Sequence, residues 1–212
     1  MKIDIYSDIV CPWCYLGQAR MRTALAGFDG AVEAAWRPFQ LDPSAPVRDG
    51  GLADEWLREK FGGADKVASA HAQMRALAAA EGLPYEPGRT RRVNSIPAHR
   101  VVWLAGGTGE PGLQDAVVSR LFRAHHAEGL DVSEEETLAA LAAEAGLPGG
   151  RVREMFASNE GMPEIGASLE EARALGISGV PFFLFEGQWA VSGAQSAEVL
   201  SAALEEVAGK LG

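Results

Sequence analysis

The chain has 212 residues, with 19 lysines and arginines against 29 aspartates and glutamates, a formal net charge of -10. Hydrophobic residues make up 47%, enough for a buried core and too many for a wholly disordered chain. The acidic balance gives little attraction to phosphate backbones or anionic lipid, so neither nucleic acid nor a membrane surface is an expected partner.

Residues 3–10 read as a strand. Ile3, Ile5, Ile9 and Val10 are β-branched, and apolar residues occupy both parities near its end, as in a central strand covered on both faces. Asp4 and Asp8 interrupt any apolar leader, and no stretch approaches the ~20 apolar residues of a membrane span. The expected compartment is therefore the cytoplasm. A helix follows at once, with Met21, Ala24, Leu25 and Phe28 on one apolar face. Cys14 lies seven residues before Met21 and shares that face. Cys11 stands at the helix start, Pro12 suits its first position, and Gly27 and Gly30 close it. A second strand is expected over residues 32–41, with Pro38 marking an edge or a bulge near its end. Asp42-Pro43-Ser44-Ala45-Pro46 reads as a boundary loop.

From about residue 52 to 175 the pattern is helical. Val67, Ala70, Met74 and Leu77 form one stripe, and Leu113, Val117 and Leu121 form another. Ser133-Glu134-Glu135-Glu136 reads as a capping box ahead of Leu138, Leu141 and Ala145. Met162, Ile165, Leu169 and Ala172 mark one more helix. Strand signals return at Val180-Pro181-Phe182-Phe183-Leu184-Phe185. Glu186-Gly187-Gln188 makes a hairpin turn to Trp189-Ala190-Val191, and a final helix carries Leu200, Ala203, Leu204, Val207 and Leu211 on one face. A helical block between sheet elements reads as a domain inserted into an α/β domain.

Cys11 and Cys14 are the chain's two cysteines. Structural disulfides rarely persist in the cytosol, and this loop is too short to staple much, so the pair points to chemistry. The thiolate is the nucleophile in disulfide exchange, and a helix N-terminus stabilises an anion. The position predicts an exposed, acidified Cys11 that attacks a substrate disulfide and a shielded Cys14 that resolves the mixed disulfide. Pro12 and Trp13 add no charge between them. Three other readings stand beside this one. A zinc site would need a second Cys or His pair, and His71, His99, His125 and His126 do not supply that spacing. Two inert core cysteines form the second, and a sensor that oxidises without turnover the third. Gly179-Val180-Pro181 precedes a strand, where a cis X-Pro bond would bring the Val180 backbone beside the sulfurs; an ordinary strand-opening proline is the alternative.

The ordered set of Asp8-Ile9-Val10-Cys11-Pro12-Trp13-Cys14-Tyr15-Leu16-Gly17, Pro38-Phe39-Gln40-Leu41-Asp42-Pro43, Asn94-Ser95 with Ala98-His99-Arg100, Ile177 to Phe183, and Ser192-Gly193-Ala194-Gln195 resembles the DsbA family of thioredoxin-fold oxidoreductases. The finer likeness is to its FrnE-like branch. The resemblance implies a thioredoxin-like fold with a large all-helical domain inserted. It divides the chain into 1–45 and 176–212 for the thioredoxin-like domain and 46–175 for the insertion. It also implies a cis Val180–Pro181 facing the cysteines. A sister group resembles kappa-class glutathione transferases and hydroxychromene-carboxylate isomerases and typically carries serine at the position of Cys11.

Asp8, three residues before Cys11, could sit at the helix start and relay a proton, or be a solvated strand-end carboxylate. Asn94 and His99 are site candidates through the resemblance. His99 shares helix parity with Ile96 and Trp103, so a hydrogen-bonded core histidine is an equal reading; near a thiolate it could stabilise the anion. His71 falls on the Val67/Met74 stripe as a structural residue. His125 and His126 read as a helix end rather than a metal site. Trp13 is either an exposed substrate contact or packed against the helical block. The leading expectation is a thiol–disulfide oxidoreductase or isomerase with Cys11 and Cys14 catalytic and Pro12, Trp13, Val180 and Pro181 at the substrate. No metal or tightly bound cofactor is expected, although a low-molecular-weight thiol can serve as cosubstrate. The expected partner is a disulfide-containing protein or a small thiol or disulfide. The alternatives are a glutathione-type transferase or isomerase acting on a small aromatic or polyketide-like molecule, and a non-enzymatic redox-sensing partner.

Overall fold

The β-branched N-terminal run forms β1 (Lys2–Ser7) at the middle of a four-stranded sheet. On one side β1 pairs in parallel with β2 (Glu33–Pro38). On the other it pairs antiparallel with β3 (Phe182–Phe185), which pairs antiparallel with β4 (Trp189–Ser192). This computed structural model describes residues 1–47 and 50–212; residues 48 and 49, within the expected 46–175 segment, lie outside the described residues. β1 ends three residues before the expected Val10, because Asp8 turns the chain and its carbonyl accepts the Cys11 N–H at 3.0 Å. β2 ends at Pro38, which has no N–H to extend the ladder.

Register puts Ile3 opposite Phe185 and Ile5 opposite Phe183, so all four side chains share one buried face. Each such burial contributes roughly 1.5–3 kcal/mol relative to exposure. Helices α1 (Pro12–Ala26) and α9 (Ala197–Leu211) join this core through Met21, Ala24, Leu200 and Leu204. The opposite face carries Tyr6, which packs edge-on to Phe182 and belongs with Ala172 and Ile177 to a smaller cluster.

Between β2 and β3 the chain is helical. The elements are α2 (Ala53–Phe61), α3 (Ala64–Ala80), α4 (Ile96–Gly106), α5 (Leu113–Arg123), α6 (Glu135–Glu144), α7 (Gly149–Phe156) and α8 (Met162–Ala174). α2 carries Asp54 and Glu55 in its first turn and Arg58 and Lys60 near its end, the order the helix dipole favours. Glu134 caps α6 by accepting from the N–H groups of Glu136 and Thr137. The expected capping box therefore starts one residue later than Ser133, whose hydroxyl is engaged by Asp131. The buried Arg100 of α4 donates to the carbonyls of Met155 (2.7 Å) and Ser158 (2.8 Å), satisfying the open end of α7. This is a thioredoxin-like α/β fold with a helical insertion.

Gly17 on α1 faces Pro181 and Phe183. A Cβ at residue 17 would lie 2.8 Å from Pro181 Cγ and 3.3 Å from its Cβ, inside van der Waals contact with a rigid ring. Gly17→Ala is expected to destabilise the protein by ~1–3 kcal/mol through this overpacking. Chemical denaturation checks it, and an unchanged midpoint would show that α1 does not clamp on Pro181.

Candidate active site

Cys11 is the N-cap of α1 and Pro12 its first residue. The Cys11 carbonyl accepts from the N–H groups of Cys14 (3.0 Å) and Tyr15 (3.2 Å), which sets the two thiols one turn apart. Both are free cysteines. Across the sheet, Val180–Pro181 is cis, and the Cys11 sulfur lies 3.7 Å from the Val180 carbonyl oxygen. Two segments 169 residues apart in sequence thus meet at one sulfur. No acidic residue occupies the first turn of α1, so the positive end of the helix is unopposed there.

Cys11 was expected to be exposed, and it is not: only 3% of it reaches solvent. The helical insertion covers it, and the sulfur opens instead onto a cavity of about 440 Å³. Trp56, Leu57, Phe61, Val67, Met74 and Tyr85 supply apolar walls. The α3 stripe therefore lines this cavity as well as the core, which is why its Ala70 is exposed. Lys60 and Arg92 stand at the rim over the Trp56 ring, at 4.4 and 4.8 Å. Trp13 is 41% exposed and borders the cavity. Cys14 is fully buried, and burial with Cys11 beside it pushes its thiol well above the usual value. The Asp8 N–H and the Ser7 hydroxyl act in the opposite sense.

His125 and His126 were expected only to end a helix. They occupy a π-helical turn (Ala124–Glu128) after α5, and both line the Cys11 cavity. Gly129 closes the turn at φ 70°, and a Cβ there would lie 2.7 Å from the Arg89 carbonyl oxygen. His126 stacks on Tyr15 at 5.4 Å and donates through Nε2 to the Ile9 carbonyl at 3.1 Å. Burial holds His126 well below the usual value and His125 down at about 4. Both rings are therefore neutral at neutral pH. Their positions continue the α5 stripe, since His125 follows Leu121 by four residues, and that spacing was the available signal. Burial likewise pushes Tyr85 up to about 12, with Cys11 adding to it, so the phenol keeps its proton.

Asp8 is fully buried rather than solvated. Its carboxylate accepts from the Leu41 N–H (2.8 Å) and the Val10 N–H (3.4 Å). His99 Nε2 donates to the Phe39 carbonyl (2.9 Å) and lies 3.4 Å from Asp8 Oδ1, so this histidine is a hydrogen-bonded core residue behind the cysteines. Asn94 is not brought to the thiols. Its Oδ1 accepts from Gln40 and from the Ile96 N–H at the start of α4, and its Nδ2 donates to the Ala45 carbonyl. His71 is half-buried, 3.9 Å from Asp54, at the far side of the cavity. Among the described residues, no cluster of three or more His, Cys, Asp or Glu could hold a metal ion, and no helix is long and apolar enough to cross a membrane.

The family model for the DsbA-like thioredoxin domain matches residues 2–205. The chain belongs to this family. A solved DsbA-family relative is the probable DsbA oxidoreductase SCO1869 of Streptomyces coelicolor, 36% identical, with a TM-score of 0.91 over 99% of this chain and 90% of that one. The cytosolic disulfide reductase DsbM of Pseudomonas aeruginosa, solved with GSH, shares the DsbA-like fold at 24% identity and a TM-score of 0.67, over 97% of this chain and 98% of that one. The uncharacterized protein YwbO of Bacillus subtilis (strain 168) is 38% identical over 73 residues, a stretch covering 29% of this chain and 36% of YwbO. That match spans about a third of the curated relative's length.

Within this DsbA-like site the neutral histidines make stability depend on pH. Below pH 6.5 the unfolded chain binds a proton at His125 that the folded ring refuses until about pH 4. The contribution of the His125 ring to stability is complete above pH 6.5 and is lost as pH falls from there toward about 4. His125 alone accounts for about 3 kcal/mol over that whole window. Between pH 6.5 and 5 the ordinary carboxylates are still ionised, so the slope there belongs to histidine. Denaturant unfolding at a series of pH values should give a shallower slope for His125→Leu than for wild type; equal slopes would refute the neutral buried ring.

Proposed function

We propose that the protein is a thiol–disulfide oxidoreductase of the FrnE-like branch, with Cys11 attacking and Cys14 resolving. The observation that carries this reading is the Cys11 sulfur, at the N-terminus of α1 and 3.7 Å from the Val180 carbonyl beside cis Pro181. The Cys11 thiolate bonds to one sulfur of a substrate disulfide and displaces the other as a thiolate. Cys14 then attacks the Cys11 sulfur, closes the Cys11–Cys14 disulfide and releases the second thiol. Two electrons pass from the dithiol to the substrate, and the reverse sequence oxidises a substrate dithiol. Isomerase activity uses the same first step, with a substrate thiol resolving the mixed disulfide. Val180 and Pro181 align the substrate, and Pro12 and Trp13 border it.

The buried sulfur and its apolar cavity favour a low-molecular-weight disulfide or a flexible disulfide-bearing segment over a folded surface. A small thiol is the proposed cosubstrate, and the cytoplasm the proposed compartment. The same cavity favours one second reading, a glutathione-type transferase or isomerase acting on a small aromatic molecule. There Cys14 would be dispensable.

With a disulfide substrate, Cys11→Ser should lose roughly 10³-fold or more in turnover, as removal of a nucleophile does. Cys14→Ser should accumulate a mixed disulfide at Cys11, visible by mass spectrometry. Full activity in Cys11→Ser would end the redox reading, and full turnover in Cys14→Ser would transfer support to the second. The reduction potential of the Cys11/Cys14 couple assigns direction: near ~-270 mV a reductase, nearer ~-120 mV an oxidase.

A further inference from the structure

Behind the cysteines, on the side away from the Cys11 cavity, lies a second cavity of about 360 Å³. Ser7 from the end of β1, His99 from α4 and Ser168 from α8 line it, with Glu164 and Arg37 also on its wall. Two buried hydroxyls there, Ser7 Oγ and Ser168 Oγ, have no hydrogen-bond partner among the described residues. Such groups in a polar cavity of this size are satisfied by water. The Ser7 hydroxyl also faces the Cys14 sulfur, from outside hydrogen-bonding geometry.

Cys14 needs this side of the molecule. It is fully buried, and in the mixed disulfide the front of the site is filled by the substrate. To attack the Cys11 sulfur it must first give up its proton. The rings at the front are poor acceptors, because burial keeps His125 and His126 neutral to low pH. At the rear, His99 donates through Nε2 to the Phe39 carbonyl and stands 3.4 Å from the Asp8 carboxylate. That bond fixes Nδ1 as the accepting nitrogen of the neutral ring.

We propose that the rear cavity is the proton exit of the resolving step, in which Ser7 donates a hydrogen bond to the Cys14 sulfur as it ionises and cavity water carries the proton to His99. The proposal rests on the dithiol reading above. The balance is complete: Cys14–SH yields its proton to His99 Nδ1, the Cys14 thiolate bonds to the Cys11 sulfur, and the substrate sulfur leaves as a thiolate that takes a proton from solvent. The oxidant is the substrate disulfide. Ser7 is thus a positioning residue for Cys14. The titratable and charged groups around this path are, at the front, Cys11, His125, His126 and Tyr85, with Asp42, Lys60, His71, Arg91 and Arg92 further out along the cavity. At the rear are Asp8, His99, Glu164 and Arg37, the last held by Asp4.

The test uses dithiobis(nitrobenzoate), an aromatic disulfide whose product thiolate is coloured. Attack by Cys11 releases one equivalent, and resolution by Cys14 releases the second. Ser7→Ala should leave the first phase near wild type and slow the second about tenfold, the loss expected for one hydrogen bond to a charged group. It should also move the pH midpoint of the second phase upward, a change that loosened packing would not produce. Ser7→Thr restores the hydroxyl and should restore the second phase. His99→Gln should slow the second phase and flatten its pH profile. Equal slowing of both phases by Ser7→Ala, or a second phase with unmoved rate and pH midpoint, would overturn the proposal. A wild type that releases no colour would overturn the dithiol reading itself, and a wild type that releases both equivalents keeps the two failures distinct.

Discussion

Helix α1 passes Pro181 so closely that a side chain at residue 17 would force the proline ring or the helix to shift. The distance between the Cys11 sulfur and the Val180 carbonyl depends on that approach, because Cys11 and Gly17 belong to one rigid helix and Val180 and Pro181 lead directly into β3. A second close approach acts on the same place. Gly129 fits against the Arg89 backbone, which seats the π-helical turn so that His126 reaches the Ile9 carbonyl. One contact holds the helix that begins at Cys11 and the other holds the turn that enters it. Residues 8–11 have no regular structure of their own, so their geometry comes from these two neighbours and from the Asp8 side chain.

Asp8 shows how the fold manages a buried charge. A carboxylate removed from water costs several kcal/mol unless hydrogen bonds replace its hydration. Two backbone N–H groups donate to this one and tie the end of β1 to Leu41, and the His99 ring of α4, bonded to the Phe39 carbonyl, stands 3.4 Å away. The loop after β2 is held from the other end by Asn94, which bridges Gln40, Ala45 and the start of α4. The polar residues that resemblance marked as site candidates therefore build the frame behind the thiols, while the surface in front of Cys11 is apolar.

Local signals were legible in the sequence to the extent that local physics decides them. Proline at the first helical position, the start of β1 and the glycine ends of α1 and α2 read correctly, because each depends on a few neighbouring dihedrals. The burial of Cys11 did not, since the covering residues Trp56, Met74 and Tyr85 come from a block at least 40 residues away in sequence whose docking angle no periodicity encodes. The histidine pair fell between the two cases. Its spacing continued an apolar stripe, yet two adjacent polar side chains after Arg123 also suit a helix C-terminus, and only the π-helical turn turns both rings inward. Ser7 was invisible for a related reason. A serine closing a strand is ordinary until the partner it lacks and the cavity it faces are known.

The front of the site is poor in charge. Pro12 and Trp13 carry none, the first turn of α1 contains no acid, and both imidazoles are neutral. Of the cations lining the cavity, Lys60 lies against Trp56, Arg92 is paired with Asp42 at 2.9 Å, and Arg91 lies 3.8 Å from Asp131. A thiolate at Cys11 is left with the N–H groups and dipole of α1, within apolar walls where a fixed dipole is worth more than in water. Salt screens such a buried field far less than it screens surface charges. The position of the Cys11 sulfur is set by where the helix begins, and so by the packing of α1 against Pro181. Cys14, one turn further in, meets the opposite condition. Its environment favours the thiol, and it becomes a nucleophile only when the polar groups behind it relieve it of a proton.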